Sequence, residues 1–367
     1  MTRFWNDSNL KTENDSLSID AISNLFGASI KNNFGIDIGK LKNIISLGVD
    51  YEKEDAESMA YSSLGGGQQT NTSTVFGLFA QGLSEFSIFS LIYGIRLVDY
   101  KSEFQIVSLD DSDILPSVGL IARPIENLEL SANYGESVRA SGLLLIQALA
   151  NIFEGTDING GRPLELETSQ TFEVGVSYVK EAVFGKDRLS VSAQVFKTQL
   201  DNLIERVDVG RRPIGGIRND SLGVISKGFE ASLGWQTKKL QINLGLVLVD
   251  MEDEDGNLIP VNRRKAAPTG NRFNWSTLWQ ATSELQFGYS LNSVGDLDEV
   301  YEDVRPGYTL HNIQVNWTPR AIRGLRASLA INNLFNEGYI EQTSLAFFQS
   351  IIPEPGRDIR ISLGYNF

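Results

Sequence analysis

Arg206, Arg211, Arg212 and Arg218 crowd one stretch of the chain, and Arg263, Arg264 and Lys265 form a second basic group further on. The chain as a whole is acidic, with 32 Lys and Arg against 46 Asp and Glu and a net charge of -14. In that setting a basic cluster focuses a positive field and raises the local concentration of an anionic ligand. The planar guanidinium fork matches carboxylate and catecholate oxygens. The same groups would also bind the phosphates of lipopolysaccharide or simply solvate a loop, and the residues alone leave these uses open. Arg139 reads either as lining for a polar interior or as a ligand contact.

Other chemistry is absent from the residues. The chain has no cysteine and one histidine, His311, so thiolate metal sites, cysteine nucleophiles and a Ser-His-Asp constellation all drop out. Met251-Glu252-Asp253-Glu254-Asp255-Gly256 invites a calcium reading. With Gly256 at the sixth position of a calcium loop, however, the first would be Met251 and the twelfth Asn262, neither of which fits. Gly65-Gly66-Gly67 lacks the spacing of a phosphate-binding loop and reads as a flexible loop tip. No catalytic, metal or cofactor site is expected. A net charge of -14 argues against nucleic acid as a partner. Met1 to Asp7 has no apolar run of the kind a signal peptide carries, and Gly142 to Phe153 is too short and too polar for a transmembrane helix.

The elements that must position these residues are strands. Ile359, Ile361, Leu363, Tyr365 and Phe367 alternate with Arg360, Ser362, Gly364 and Asn366, a period of two held to the last residue. Phe172 to Tyr178, Leu189 to Val195, Phe229 to Trp235 and Leu240 to Leu248 repeat the pattern. Strands of about 10 to 15 residues exceed the soluble norm and suit a tilted membrane span. Aromatics close the apolar faces at Tyr178, Trp235, Trp317 and Tyr365. Counted back from Phe367, connections alternate long (337–355, 296–305, 252–269, 207–221, 140–167, 103–112, 55–72) and short (319–324, 281–284, 236–239, 184–187, 123–127, 84–87, 31–40). A soluble sandwich has no reason to sort its loops by parity, whereas an outer-membrane barrel does. The expectation is an all-β, antiparallel up-and-down transmembrane barrel of about 15 to 16 strands. It occupies residues 1–367 as one domain, with 1–16 as a stub that is either disordered or part of a further strand.

Four motifs give the barrel a family. Asn333-Leu334-Phe335-Asn336-Glu337-Gly338-Tyr339 precedes Pro355-Gly356-Arg357 and a terminal Phe367. Upstream stand Leu166-Glu167-Thr168-Ser169 leading into Glu173 and Gly175, then Lys227-Gly228-Phe229-Glu230, then Arg305-Pro306-Gly307-Tyr308. In this order they resemble the C-terminal barrel of TonB-dependent outer-membrane receptors. That resemblance implies a Gram-negative outer-membrane location and uptake of an iron chelate, a ferric siderophore or haem. It also implies lipid and lipopolysaccharide as surroundings, the TonB complex as partner of the intact receptor, and recognition of the last strand by the barrel-assembly machinery. The family also has an N-terminal plug with a TonB box inside a barrel of about twenty-two strands. Neither is legible here, so the chain is expected to be a fragment of such a receptor. Val138-Arg139-Ala140-Ser141 and Asn159 to Leu164 are degenerate echoes of the two boxes of haem receptors, with no axial ligand for iron in 141–167. A plugless, porin-like passive channel of about 16 strands is the alternative. A soluble β-rich binding module comes next and an enzyme last.

Overall fold

The computed structural model describes residues 2–14, 17–62, 65–104, 108–139, 157–158, 160, 162–209, 212–219, 222–257, 259, 269–297, 306–342 and 353–366. Nineteen strands run in chain order: β1 Thr2–Asn14, β2 Leu17–Ile38, β3 Leu41–Ser62, β4 Gly65–Phe86, β5 Phe89–Phe104, β6 Ser108–Ile125, β7 Leu128–Arg139, β8 Asp157–Ile158, β9 Glu167–Glu181 and β10 Arg188–Asp201, then β11 Ile204–Val209, β12 Arg212–Asn219, β13 Val224–Gln236, β14 Leu240–Asp253, β15 Arg272–Gln280, β16 Leu285–Val294, β17 Tyr308–Trp317, β18 Leu325–Asn332 and β19 Asp358–Tyr365. Sixteen of them make one sheet in sequence order, and β8, β11 and β12 make a small separate one. β1 and β19 are the two ends of the large sheet.

Register explains why every strand alternates. Cross-strand partners share a face, so the pairs Leu97↔Ile114, Val195↔Phe229, Leu246↔Phe273 and Leu329↔Ile361 string one continuous apolar face around the sheet. That face stays open: Phe172, Ile114, Val195 and Ile95 are all exposed. Bulky apolar residues on the open side, with serines, asparagines and glutamines opposite, is the polarity of a wall whose outer solvent is hydrocarbon. The aromatics Tyr178, Trp235, Trp279, Trp317 and Tyr365 all lie beside the short connections, forming a girdle at that end of the apolar band.

The inner face bonds to itself across the strands. Ser192 and Ser232 lie 2.7 Å apart, Gln194 donates to Glu230 at 2.9 Å, Asn312 to Ser290 at 3.1 Å and Asn316 to Gln286 at 3.1 Å. Each is a directly opposite pair. Glycines admit the larger neighbours. A Cβ on Gly48 would lie 2.2 Å from the inward Phe79 ring, and on the outer face one on Gly82 would lie 2.3 Å from Tyr93.

Connections differ from expectation at several points. The segment 31–40 is strand down to Ile38, because Phe34, Ile36 and Ile38 continue the outer face, and only Gly39–Lys40 turns, with Gly39 at φ 61. The segments expected as loops at 55–72 and 103–112 are mostly β3–β4 and β5–β6 continued past the apolar band. Gly65-Gly66-Gly67 opens β4 rather than forming a loop tip. Within 207–221, β11 and β12 pair as a hairpin. Strand pairing does not stop where lipid stops; polar Ser, Thr and Gln on both faces keep the ladder going in water.

Candidate functional site

The end of the wall that carries the long connections is folded over by its own chain. Residues 162–166 run extended across the rim and put Leu164 and Leu166 into a buried cluster with Leu109 and Ile204, against which Tyr100 and Val138 pack. Asn219 at the end of β12 pins this segment: its side chain accepts from Glu165 N at 2.9 Å and donates to Glu165 O at 3.0 Å and Asn202 O at 2.7 Å. Asp111 accepts from Leu166 N at 3.1 Å.

Glu167 ties these parts together. Its side chain is 5% exposed, and one carboxylate oxygen accepts from Arg139 Nε at 2.6 Å. The other accepts from the backbone N of Ile204 at 2.9 Å. One buried anion thus joins the end of β7, the start of β9 and the first residue of the β11–β12 hairpin. Arg139, a candidate ligand contact, is engaged by that pair, although its side chain remains mostly exposed.

A second anchor stands at the other side of the rim. Tyr308 donates its hydroxyl to Glu341 at 2.6 Å, Arg272 approaches the same carboxylate at 3.6 Å, and the rings of Tyr308 and Tyr339 lie 4.5 Å apart. Burial holds the Tyr339 phenol above its ordinary pKa. Gln342, 1% exposed, receives Gly270 N and donates to Gly295 O.

Below the first anchor the inner face opens into a cavity of about 600 Å³. Its apolar lining comes from Leu25, Val75, Val98, Leu115, Val138 and Leu166, and its charged lining from Glu52, Glu54, Glu136 and Arg96. Arg96 is committed to Asp50 through two bonds of 2.8 and 2.7 Å. Glu54 accepts from Ser23, and Glu136 accepts from the Tyr134 hydroxyl. Tyr100 contributes a phenol that burial holds above its ordinary pKa, against hydrogen bonds from Ser73 and Ser102 that pull it down.

The family motifs are mostly structural. Asn333, at φ 51, closes the chain as it leaves β18: its side chain accepts from Glu337 N and donates to Glu337 O, both at 2.8 Å. Leu334 N donates to His311 O at 2.7 Å, and Phe335 sets its ring edge-on to His311 at 4.8 Å. His311 lies on the outer face near the long-connection end of β17, where Tyr289 hydrogen-bonds its Nδ1 at 2.8 Å. It is an interfacial residue, away from the cavity. Asn336 accepts from Arg357 N at 2.9 Å, and a Cβ on Gly356 would lie 2.7 Å from that same oxygen; Pro355 stands just before it. On β9, Ser169, Glu173 and Gly175 share the inner face with Glu167. Lys227 faces outward and pairs with Glu252 at 2.5 Å. Gly228 and Glu230 face inward, and a Cβ on Gly228 would meet the Leu248 carbonyl at 2.5 Å. Phe367 lies outside the described residues.

The arginine clusters are only partly placed. Arg206 and Arg212 sit in β11 and β12, with side chains outside the described set, and Arg218 is exposed on β12 opposite Glu205. Arg211, Arg263 and Arg264 lie outside the described residues. Asp253 uses its carboxylate on the backbone N of Asp255 and Asn257, at 3.0 and 2.8 Å, closing a turn. Among the described residues no group of three or more His, Cys, Asp or Glu is placed to hold a metal ion. Glu52, Glu54, Tyr100 and Glu341 escaped the sequence reading. The first two stand in alternation with outward Tyr51 and Lys53, just before the loop expected at 55–72, and nothing local sets them apart from any other polar strand face.

Comparisons with known proteins agree with this architecture. The profile for "TonB dependent receptor-like, beta-barrel" matches residues 2–334, reaching well before the motifs and stopping short of the last strand. The heme transporter BhuA of Brucella abortus (strain 2308) is 24% identical over 388 residues, covering 99% of this chain and 54% of that protein. The ferripyoverdine receptor of the outer membrane of Pseudomonas aeruginosa superposes with a TM-score of 0.74 at 16% identity, covering 96% of this chain and 49% of that one. The ferric-catecholate import receptor Fiu of E. coli K12 gives 0.73 at 17% identity, covering 95% and 55%. The chain spans about half the length of the curated relatives it matches.

Proposed function

Because the chain belongs to the TonB-dependent receptor β-barrel family, whose members are Gram-negative outer-membrane receptors and transporters, we propose that it forms the ligand-holding wall of an iron-chelate receptor. In this reading residues 1–367 are one barrel domain, and its task is transport, with no catalytic step. The observation that carries the reading is the cavity of about 600 Å³ on the inner face at the long-connection end, mixed apolar and polar in lining. That size and lining are those of a small-molecule site. Ferric siderophores and haem are the ligands named for the relatives. The intact receptor would release its ligand through the lumen when the TonB complex acts on a plug, a part this reading assigns to the receptor's N-terminal region. The last strand would address the barrel to its assembly machinery, and lipid with lipopolysaccharide would surround the apolar belt.

The passive-channel alternative needs β1 and β19 to close on each other. They stand instead as the two ends of the sheet, which favours a larger barrel of which these sixteen strands are an arc. The test is a binding panel on the full chain refolded in detergent micelles: haem, a ferric catecholate and a ferric hydroxamate, followed by tryptophan quenching. Saturable binding of at least one is expected. Binding of none above the empty-micelle background, or steady ion conduction in planar bilayers, would overturn the reading.

A further inference from the structure

We infer that the mouth cavity selects a ligand whose buried end is cationic, an ammonium or amidinium group beside an apolar body. The inference rests on the ligand-holding reading above and goes further, because it sets this chain against a dianionic tetrapyrrole. The lining contains three carboxylates, Glu52, Glu54 and Glu136, and one guanidinium, Arg96. That guanidinium is spent: both of its terminal nitrogens bond Asp50. The rim cation Arg139, next in sequence to the lining residue Val138, is likewise held by Glu167. A propionate entering this space would meet three anions and no uncommitted cation in the lining.

The carboxylates differ in how far the wall satisfies them. Glu136 is bonded by Tyr134 and Glu54 by Ser23. Among the described residues Glu52 receives no hydrogen bond, and it meets Arg96 only through space. An ionised carboxylate partly withdrawn from water is stabilised by an opposite charge brought against it. Leu25, Val75, Val98 and Leu115, which line the same cavity, lower the local dielectric and strengthen that attraction. A cationic arm would lie between Glu52 and Glu54, with the body of the ligand on the apolar wall below Leu166.

The experiment uses three iron porphyrins with one ring and different arm ends: haem, its dimethyl ester, and haem with both propionates capped as aminoethyl amides. The full chain in micelles is titrated with each by difference absorbance. The ammonium form is expected to bind about tenfold or more tighter than haem, with the ester between them. In E52Q/E54Q that gap should shrink to about twofold, and raised salt should shrink it in the unmodified chain as well. Equal or tighter binding of haem overturns the inference while leaving the ligand-holding reading intact, and so does a gap unchanged by the two substitutions. Binding of none of the three overturns both. Heat-modifiable migration on gels checks that the double variant folds; should it not, E52Q alone, which removes no hydrogen bond, takes its place with half the loss of discrimination expected.

Discussion

Replacing Glu167 by alanine should release the rim while leaving the wall intact. The carboxylate makes two bonds, and they are unequal. The bond to Ile204 N at 2.9 Å involves a buried amide, and losing its acceptor strands that amide at a cost of about 1–3 kcal/mol. The bond from Arg139 at 2.6 Å involves a side chain 70% exposed, so water replaces most of it and its loss costs about 0–1 kcal/mol. E167A should therefore raise the opening of 203–219 by about 2–3 kcal/mol, roughly 30- to 150-fold in local amide exchange. R139A should raise it by less than about fivefold. E167Q, which keeps an oxygen for Ile204 N, should fall between them. Hydrogen exchange read peptide by peptide, with β13–β16 as the internal reference, measures all three variants. Equal effects of E167A and R139A would refute the assignment of the buried amide as the dominant partner. Exchange rising equally in β13–β16 would refute the claim that the anchor is local.

Val174 faces outward and Gln194 inward on adjacent strands; V174R should cost about 2–4 kcal/mol in urea unfolding and Q194R much less, and the reverse order would invert the wall. A Cβ at Gly228 would lie 2.5 Å from the Leu248 carbonyl, while at Gly245 the nearest atom is 3.9 Å away. G228A should therefore destabilise by about 1–3 kcal/mol, and G245A should be tolerated in the same measurement. At the short turn 182–187, Trp235 Nε1 donates to Asp187 at 2.9 Å and Phe184 N at 2.9 Å, holding the carboxyl below the usual aspartate range. A depressed folded pKa contributes stability above the unfolded value, and that contribution is lost as pH falls through the folded one. Trp235 emission should thus stay constant down through the ordinary carboxylate range and shift only on further acidification. A shift centred at the ordinary aspartate value, or one that persists in D187N, would count against the bond.

Much of the wall was legible because a two-residue period leaves only one way to sort Phe172, Val174 and Val176 from Glu173 and Gly175. Parity of the loops added the direction of the chain. Strand length was misjudged for a physical reason: apolar alternation ends at Tyr51 and Leu97, where lipid ends, but backbone pairing runs on to Ser62 and Phe104. Glu52 and Glu54 precede the loop expected from residue 55, and they alternate with Tyr51 and Lys53 like any polar strand face, so nothing local marks them as lining a cavity. The motif residues Asn333, Asn336 and Arg357 carry the family resemblance in the sequence, and their hydrogen bonds close the chain after β18 and before β19. Nothing local in the sequence announces that Glu167 reaches Ile204 N, because the partner stands 37 residues away.

The inner wall itself argues for where selection happens. From β14 to β18 its polar residues lie opposite one another and bond in register: Asn243 to Ser276, Asn312 to Ser290 and Asn316 to Gln286. Among the described residues inward charges there stand near the ends of the strands, Asp253 and Arg272 at the rim, where Glu341 meets Arg272, and Arg326 by the short turns. A surface whose donors and acceptors already answer each other gains little from a ligand and exacts little from one passing by. The opposite holds under the β11–β12 hairpin. There Asp50 and Arg96 cancel, and the acids beside them are left facing an open, partly apolar space. On the proposed reading, self-satisfied amides make a passage, and an acidic lining in which Glu52 receives no hydrogen bond among the described residues makes a site, so one barrel wall would carry both on different strands. Exchanging inward residues of β16 should therefore alter ligand affinity less than exchanging Glu52, and equal effects on the cationic porphyrin would show that the wall is not divided in this way.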